Sequence, residues 1–276
     1  MLSLDELMFT LGHAETLPQL PDTPLKLAQL IESGDPNPSQ IESLILADPA
    51  LTAGLIKSAN SALFARAKPV TTVREAVAVL GHRSLRALAI ACWTNALGQI
   101  RGKSQHLTPL RFAQNGNAVA NLAASLARER VVKSPWNQEE LLAAGTLHNV
   151  MFGLLSYVDG TTYDQIYLEA RSNGSTVDWL FEEHYGIPIA HLAPQAAATL
   201  GLPAMFVQTV SASSLPVDSQ DVGQACLTTA KAVAEAGRFG LGDWPVPLNK
   251  TALPIEEGEV SGLLKSALAQ PGLLAA

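Results

Sequence analysis

The chain has 276 residues, 47% of them hydrophobic and 16% charged, with a formal net charge of −7. That is apolar material enough for one large domain or two modest ones without metal or disulfide staples, and Cys92 and Cys226, far apart in apolar stretches, read as small buried hydrophobes. Acids in Met1-Leu2-Ser3-Leu4-Asp5-Glu6, where a secretory leader starts basic, and no apolar run near the roughly 20 residues of a bilayer span predict a soluble, cytoplasmic protein with no membrane partner.

In chain order, apolar residues recur at helical rather than strand spacing. The first helices fall at about 2–12, 22–33 and 38–47, and Asp48-Pro49 supplies an N-cap and a first-turn proline for a fourth that runs to Asn60. Thr72-Val73-Arg74-Glu75 is a capping box that opens a helix ending at Leu80, where Gly81 follows as a C-terminal cap. The next helix, 83–101, lines Leu85, Leu88, Ala89, Cys92, Trp93 and Ala96 along one face. Polar residues and a proline between Gly102 and Pro109 mark a boundary between an N-terminal helical half, 1–103, and a C-terminal half, 104–240.

Beyond that boundary the pattern predicts helices at 109–133, 138–157, 161–173, 176–185, 188–200, 203–213 and 217–238. Leu141 to Leu147 is apolar on all sides, which places it at the centre of the second half. Residues 241–276, with Pro245, Pro247 and Pro254, read as an irregular and loosely packed tail with a short helix near 256–269. The fold class is therefore all-α, a bundle of about a dozen short helices.

No glycine-rich phosphate loop, nucleophile elbow or cysteine cluster is present, so any enzymatic chemistry must rest on histidines and carboxylates. His148, which ends an apolar helix in Ala144-Gly145-Thr146-Leu147-His148-Asn149, is where a ligand could project into a bundle interior. His184 and His191 are separated by Gly186 and Pro188, which interrupt a shared helix face. Charge is unevenly spread: residues 57–133 hold 12 of the 18 Lys and Arg but only two acids, a local +10 against −17 elsewhere. Asn60, Arg66, Lys68, Arg74, Arg83 and Arg86 cluster there, and would line an anion- or partner-binding surface if they converge; the alternatives are a helix-capping Asn60 and a solvated basic face.

Four motifs in order, Leu17-Pro18-Gln19-Leu20-Pro21, Ala47-Asp48-Pro49-Ala50-Leu51, Ala59-Asn60-Ser61-Ala62-Leu63-Phe64 and Pro69 to Gly81, resemble the HDOD domain, the HD-related output domain of bacterial signalling proteins. The resemblance continues through Ala144 to Asn149, Glu183-His184-Tyr185-Gly186 and Gly201-Leu202-Pro203, and so covers about residues 17 to 240. It implies a helical bundle of the HD-domain phosphodiesterase-like type. Hydrolytic relatives gather several His and Asp ligands around one or two divalent ions. Carried over residue by residue, the first histidine falls on or beside Asn115, the His-Asp doublet on His148-Asn149, the later histidine on Ile189 and the last on or near Ser213. The resemblance therefore implies a degenerate site with no catalytic residue, metal or cofactor, since one imidazole and an amide are a poor cage for a catalytic cation.

Three functional classes follow. The first is a non-catalytic output module of signal transduction that acts through a signalling protein partner, with a homodimer where an apolar helix face is exposed. The second is a metal-dependent phosphohydrolase with a non-standard ligand set, His148 with Asp159, Glu182, Glu183 or His184. The third is nucleic-acid or nucleotide binding through residues 57–133, against which the overall acidity and 5% aromatic content weigh.

Overall fold

A computed structural model describes residues 2–34, 36–61, 68–130, 135–211, 221–242, 244–248 and 251–269. Among them every regular element is a helix. Helix α1 (Leu4–Leu11) starts on a reciprocal capping box between Ser3 and Glu6. Helix α2 (Asp22–Glu32) packs beside α3 (Pro38–Leu46), which Asn37 caps, and α3 in turn packs beside α4 (Pro49–Ala59), which Asp48 caps through the Leu51 amide. Both α3 and α4 carry proline in the first turn, where no intrahelical N–H is needed.

Helix α5 (Val73–Gln99) opens on the Thr72/Glu75 capping box and is broken inside at Gly81, whose φ of 69° only glycine adopts without strain. The two expected helices are thus present as segments on either side of a kink. The second segment is buried from Ala87 to Ala91 and again at Trp93, and α2, α4 and α7 all pack against α5.

Helices α6 (Pro109–Arg130) and α7 (Gln138–Leu147) form the closest pair in the second half. A Cβ built on Gly145 would stand 2.1 Å from the Ala120 Cα, so the two backbones touch where glycine leaves room. Every residue of α7 from Glu139 to Leu147 is buried, as an all-round apolar helix requires. The stretch expected as one helix over 138–157 is instead two. Asn149, at φ −106° and ψ 13°, leaves the helical region, and α8 (Val150–Val158) starts after it. By length and composition Gln138–Val158 could cross a membrane, a feature the sequence reading missed, but 78% of its apolar window is buried inside the protein.

Helix α9 (Gly160–Asn173) is capped by Asp159 and closed by left-handed Gly174, and α10 (Val177–Tyr185) is capped by Thr176 and closed by left-handed Gly186. After Pro188 the chain makes a 3₁₀ turn, Ile189–Leu192, before α11 (Ala193–Leu200) and α12 (Ala204–Ser211). Helix α13 (Val222–Ala236) starts on a capping box between Asp221 and Gln224 and lies along α6.

The tail is more ordered than its proline content suggests. Helix α14 (Val260–Leu268) sets Leu264 and Ala267 into the core shared by α6 and α13, and Asn121 donates to the Ala267 carbonyl at 3.0 Å. Leu264 and Ala267 are the buried residues of this helix, and the rest of it is half-buried or exposed.

Candidate functional site

The α6–α7 contact decides what meets at the end of α7. With Gly145 against Ala120, and Gly116 on α6 about one van der Waals contact from Thr146, Asn115 is brought level with the α7–α8 junction. Asn115 and Asn149 are both buried, and the Asn149 amide nitrogen donates to the Asn115 carboxamide oxygen at 2.5 Å. Asn115 in turn donates to the Phe239 carbonyl at 2.7 Å, which ties α6 to the segment after α13. Asn149 Oδ1 is buried with no protein partner.

His148 lies beside this relay and is also buried. Its Nδ1 is 2.6 Å from the Gly145 carbonyl. A carbonyl only accepts, so Nδ1 carries the proton and Nε2 is left with the lone pair. Nε2 too is buried without a protein partner. Burial first, and the Lys231 ammonium second, push the imidazole down to about 4, so it is neutral at physiological pH.

The charge beside His148 comes from residues the sequence reading did not single out. Lys231 on α13 pairs with Asp178 in the first turn of α10 at 2.6 Å. Burial opposes the charge on Lys231, but Asp178 and Glu235 outweigh it and hold its pKa above the usual value. Burial raises that of the Glu235 carboxyl, one turn further along α13. An i, i+4 Lys–Glu spacing on α13 is a visible signal, but the 53-residue separation from Asp178 is not.

Ile189 is buried in the 3₁₀ turn that packs against α8, α10 and α12. Ser213 lies outside the described residues, as does Arg66. Of the other ligand candidates, Asp159 accepts from the Thr162 amide as a helix cap, and His184 is 2.8 Å from Glu169 on the surface. Among the described residues, no three His, Cys, Asp or Glu side chains come together as metal ligands.

The basic cluster is dispersed. Asn60 caps its own helix through the Ile56 carbonyl, and exchanges two hydrogen bonds of 2.7 Å with the backbone of Val70. Lys68 is exposed. Arg74 is paired with Glu42 of α3 at 3.0 Å. Among the described members of the cluster, only Arg83 and Arg86 converge, both on Glu140 in the first turn of α7. Glu42 and Glu140 lie outside the basic stretch 57–133, so part of its charge is met by acids from elsewhere in the chain. Burial pushes the thiols of Cys92 and Cys226 up to about 12 and about 11, which leaves both protonated and unreactive.

This geometry defines an all-helical domain of the HD type, with amides where the two central helices meet. The HDOD domain family model matches residues 17–216, and the chain belongs to that family. Three solved structures share the fold. An HDOD domain protein of unknown function from Geobacter sulfurreducens is 22% identical with a TM-score of 0.66, over 96% of this chain and 90% of that one. A protein from Shewanella amazonensis, provisionally described as a phosphohydrolase, is 21% identical with a TM-score of 0.64, over 95% and 94%. A protein from Marinobacter aquaeolei, provisionally described as a signal transduction protein, is 19% identical with a TM-score of 0.62; it is matched over 100% of this chain and 62% of its own length. No curated protein matches.

Proposed function

We propose that this HDOD domain is a non-catalytic regulatory module, cytoplasmic and working through contact with a signalling protein, on an HD scaffold whose metal-binding positions have been replaced. One observation carries the reading: Asn115 and Asn149, at two positions where hydrolytic relatives hold ligands, spend their amides on each other and on the Phe239 carbonyl. Among the described residues, the buried donors left without a partner there are the His148 Nε2 lone pair and the Asn149 Oδ1, both neutral, with the Lys231 ammonium close enough to act on His148. The nearby Asp178 carboxylate, which also acts on His148, is paired with Lys231, and two neutral donors do not fit a catalytic divalent cation, which needs three or more protein ligands and usually a charged one. No hydrolytic step is therefore assigned to these residues.

Metal analysis of the purified protein, with phosphodiesterase assays in Mn, Fe and Zn, tests the reading. We expect substoichiometric metal and no activity above that of the His148→Ala variant. Near-stoichiometric metal with an activity that His148→Ala abolishes would overturn it in favour of a phosphohydrolase with an unusual ligand set.

A further inference from the structure

At the opposite end of α7 from His148 lies a pocket of about 260 Å³. Its walls include Arg83 and Arg86 from α5, Trp136 just before α7, Glu140 in the first turn of α7, and Gln208 and Thr209 from α12. The two arginines are three residues apart on one helix, so they share a face.

Their roles differ. Arg83 is satisfied: its Nε donates to Glu140 at 3.0 Å, and its terminal nitrogen reaches both Glu140 and the Pro135 carbonyl at 2.7 Å. Glu140 also accepts from the Asn137 amide as part of the capping box, so its oxygens are fully engaged. Arg86 is left with one contact of 3.5 Å to Glu140, and its Nε is buried with no protein partner. Among the described residues the pocket thus holds two guanidinium charges against one carboxylate, and the Arg86 side chain, a quarter exposed and lining the pocket, has only that one long contact. That is the arrangement an oxyanion completes.

The remaining walls suit a flat ring. The Trp136 indole is pinned by Gly223 of α13, where a Cβ would stand 2.5 Å from its ring. Gln208 is exposed and can reach ring heteroatoms with either end of its amide. The volume is near the lower end of small-molecule sites, about 300 Å³, which admits one heterocycle with one anionic group rather than a polymer.

We infer that this pocket binds a phosphate monoester carrying a flat heterocycle, of the nucleoside monophosphate class, with Arg86 as its principal anion contact.

Titration calorimetry of the full chain with AMP, GMP, CMP and UMP tests the inference, with inorganic phosphate and adenosine as separate arms. At least one monophosphate should bind saturably, and more tightly than either phosphate or adenosine. Arg86→Gln should weaken that binding by roughly tenfold or more. Because Arg86 also touches Glu140, Gln208→Glu provides a second variant at an exposed wall position; it keeps the fold and should weaken binding through charge repulsion. The inference fails if no monophosphate binds saturably, or if Gln208→Glu and a folded Arg86→Gln both bind as the unaltered protein does. Phosphate binding as tightly as the monophosphate would remove the ring from the assignment, and adenosine doing so would remove the anion. None of these outcomes depends on the metal assay above.

Discussion

Asn149 donates to the side chain of Asn115 across the α6–α7 contact, and Asn115 passes a second hydrogen bond to Phe239. The relay joins three segments in a buried setting, where each amide group left without a partner is costly. Asn115→Ala should therefore destabilise the domain by about 1–3 kcal/mol, by stranding the Asn149 amide and the Phe239 carbonyl. Asn149→Asp should cost at least as much, because it sets a carboxylate against the Asn115 oxygen without supplying the other ligands of a metal. Urea denaturation of the two variants measures both. A native midpoint for Asn149→Asp would show that the site reorganises around a charge.

His148 makes stability depend on pH. Its imidazole stands near 4 when folded against an ordinary value of 6.5, so the unfolded chain takes up the proton first. The contribution is complete above about 6.5 and is lost as pH falls toward about 4; over that window it amounts to about 3 kcal/mol. Glu235 acts in the opposite sense, since a carboxyl raised by burial favours folding at low pH and loses that advantage as pH rises. Comparing His148→Gln with the unaltered protein across pH 4–7 isolates the histidine. The variant should show a shallower acid slope, and an NMR titration should place the imidazole well below the range of exposed histidines.

Gly145 is held to its identity by contact. A methyl group there meets the Ala120 backbone, which cannot swing aside as a side-chain tip could. Gly145→Ala should therefore separate α6 from α7 and destabilise by about 3 kcal/mol, despite the better helix propensity of alanine. Guanidinium denaturation measures this loss, and a gain in stability would mean that the helices part at little cost.

Asn60 and Val70 close the segment between α4 and α5 through two hydrogen bonds that imitate a strand pair. Asn60→Ala removes both, together with the bond to Ile56, and should cost about 1–3 kcal/mol. Asn60→Asp keeps the acceptor for the Val70 amide but loses the donors, so an intermediate loss in thermal unfolding is expected.

Local chemistry made most of the helices legible. The Thr72/Glu75 box and the Asp48 cap both form as their sequences imply, and Gly81 breaks the chain where it was expected to end a helix. The break at His148-Asn149 was not legible, because no glycine or proline marks it. It accompanies the pull of Asn149 toward a partner 34 residues away. The site was divided in the same manner. Asn115, His148 and Asn149 could be placed by motif, but the Lys231–Asp178 pair joins residues 53 apart and the clasp of Arg83 and Arg86 on Glu140 joins residues 57 and 54 apart, and only packing brings them together. The short helix expected near 256–269 is present as α14, but the contact of Leu264 and Ala267 with α6 and α13 was not legible, because composition reports the prolines of 241–276 and not which side of that helix meets the core.

Helix α7 touches α5, α6, α12 and α13 and has no wet side. Glu140, gripped by two arginines, and His148, backed onto its own last turn, stand about 12 Å apart along it, at 1.5 Å per residue. A rod enclosed in this way cannot rattle alone; it can only be carried along by the walls around it. A shift of its entrance would therefore have to be accommodated by the four helices that enclose it.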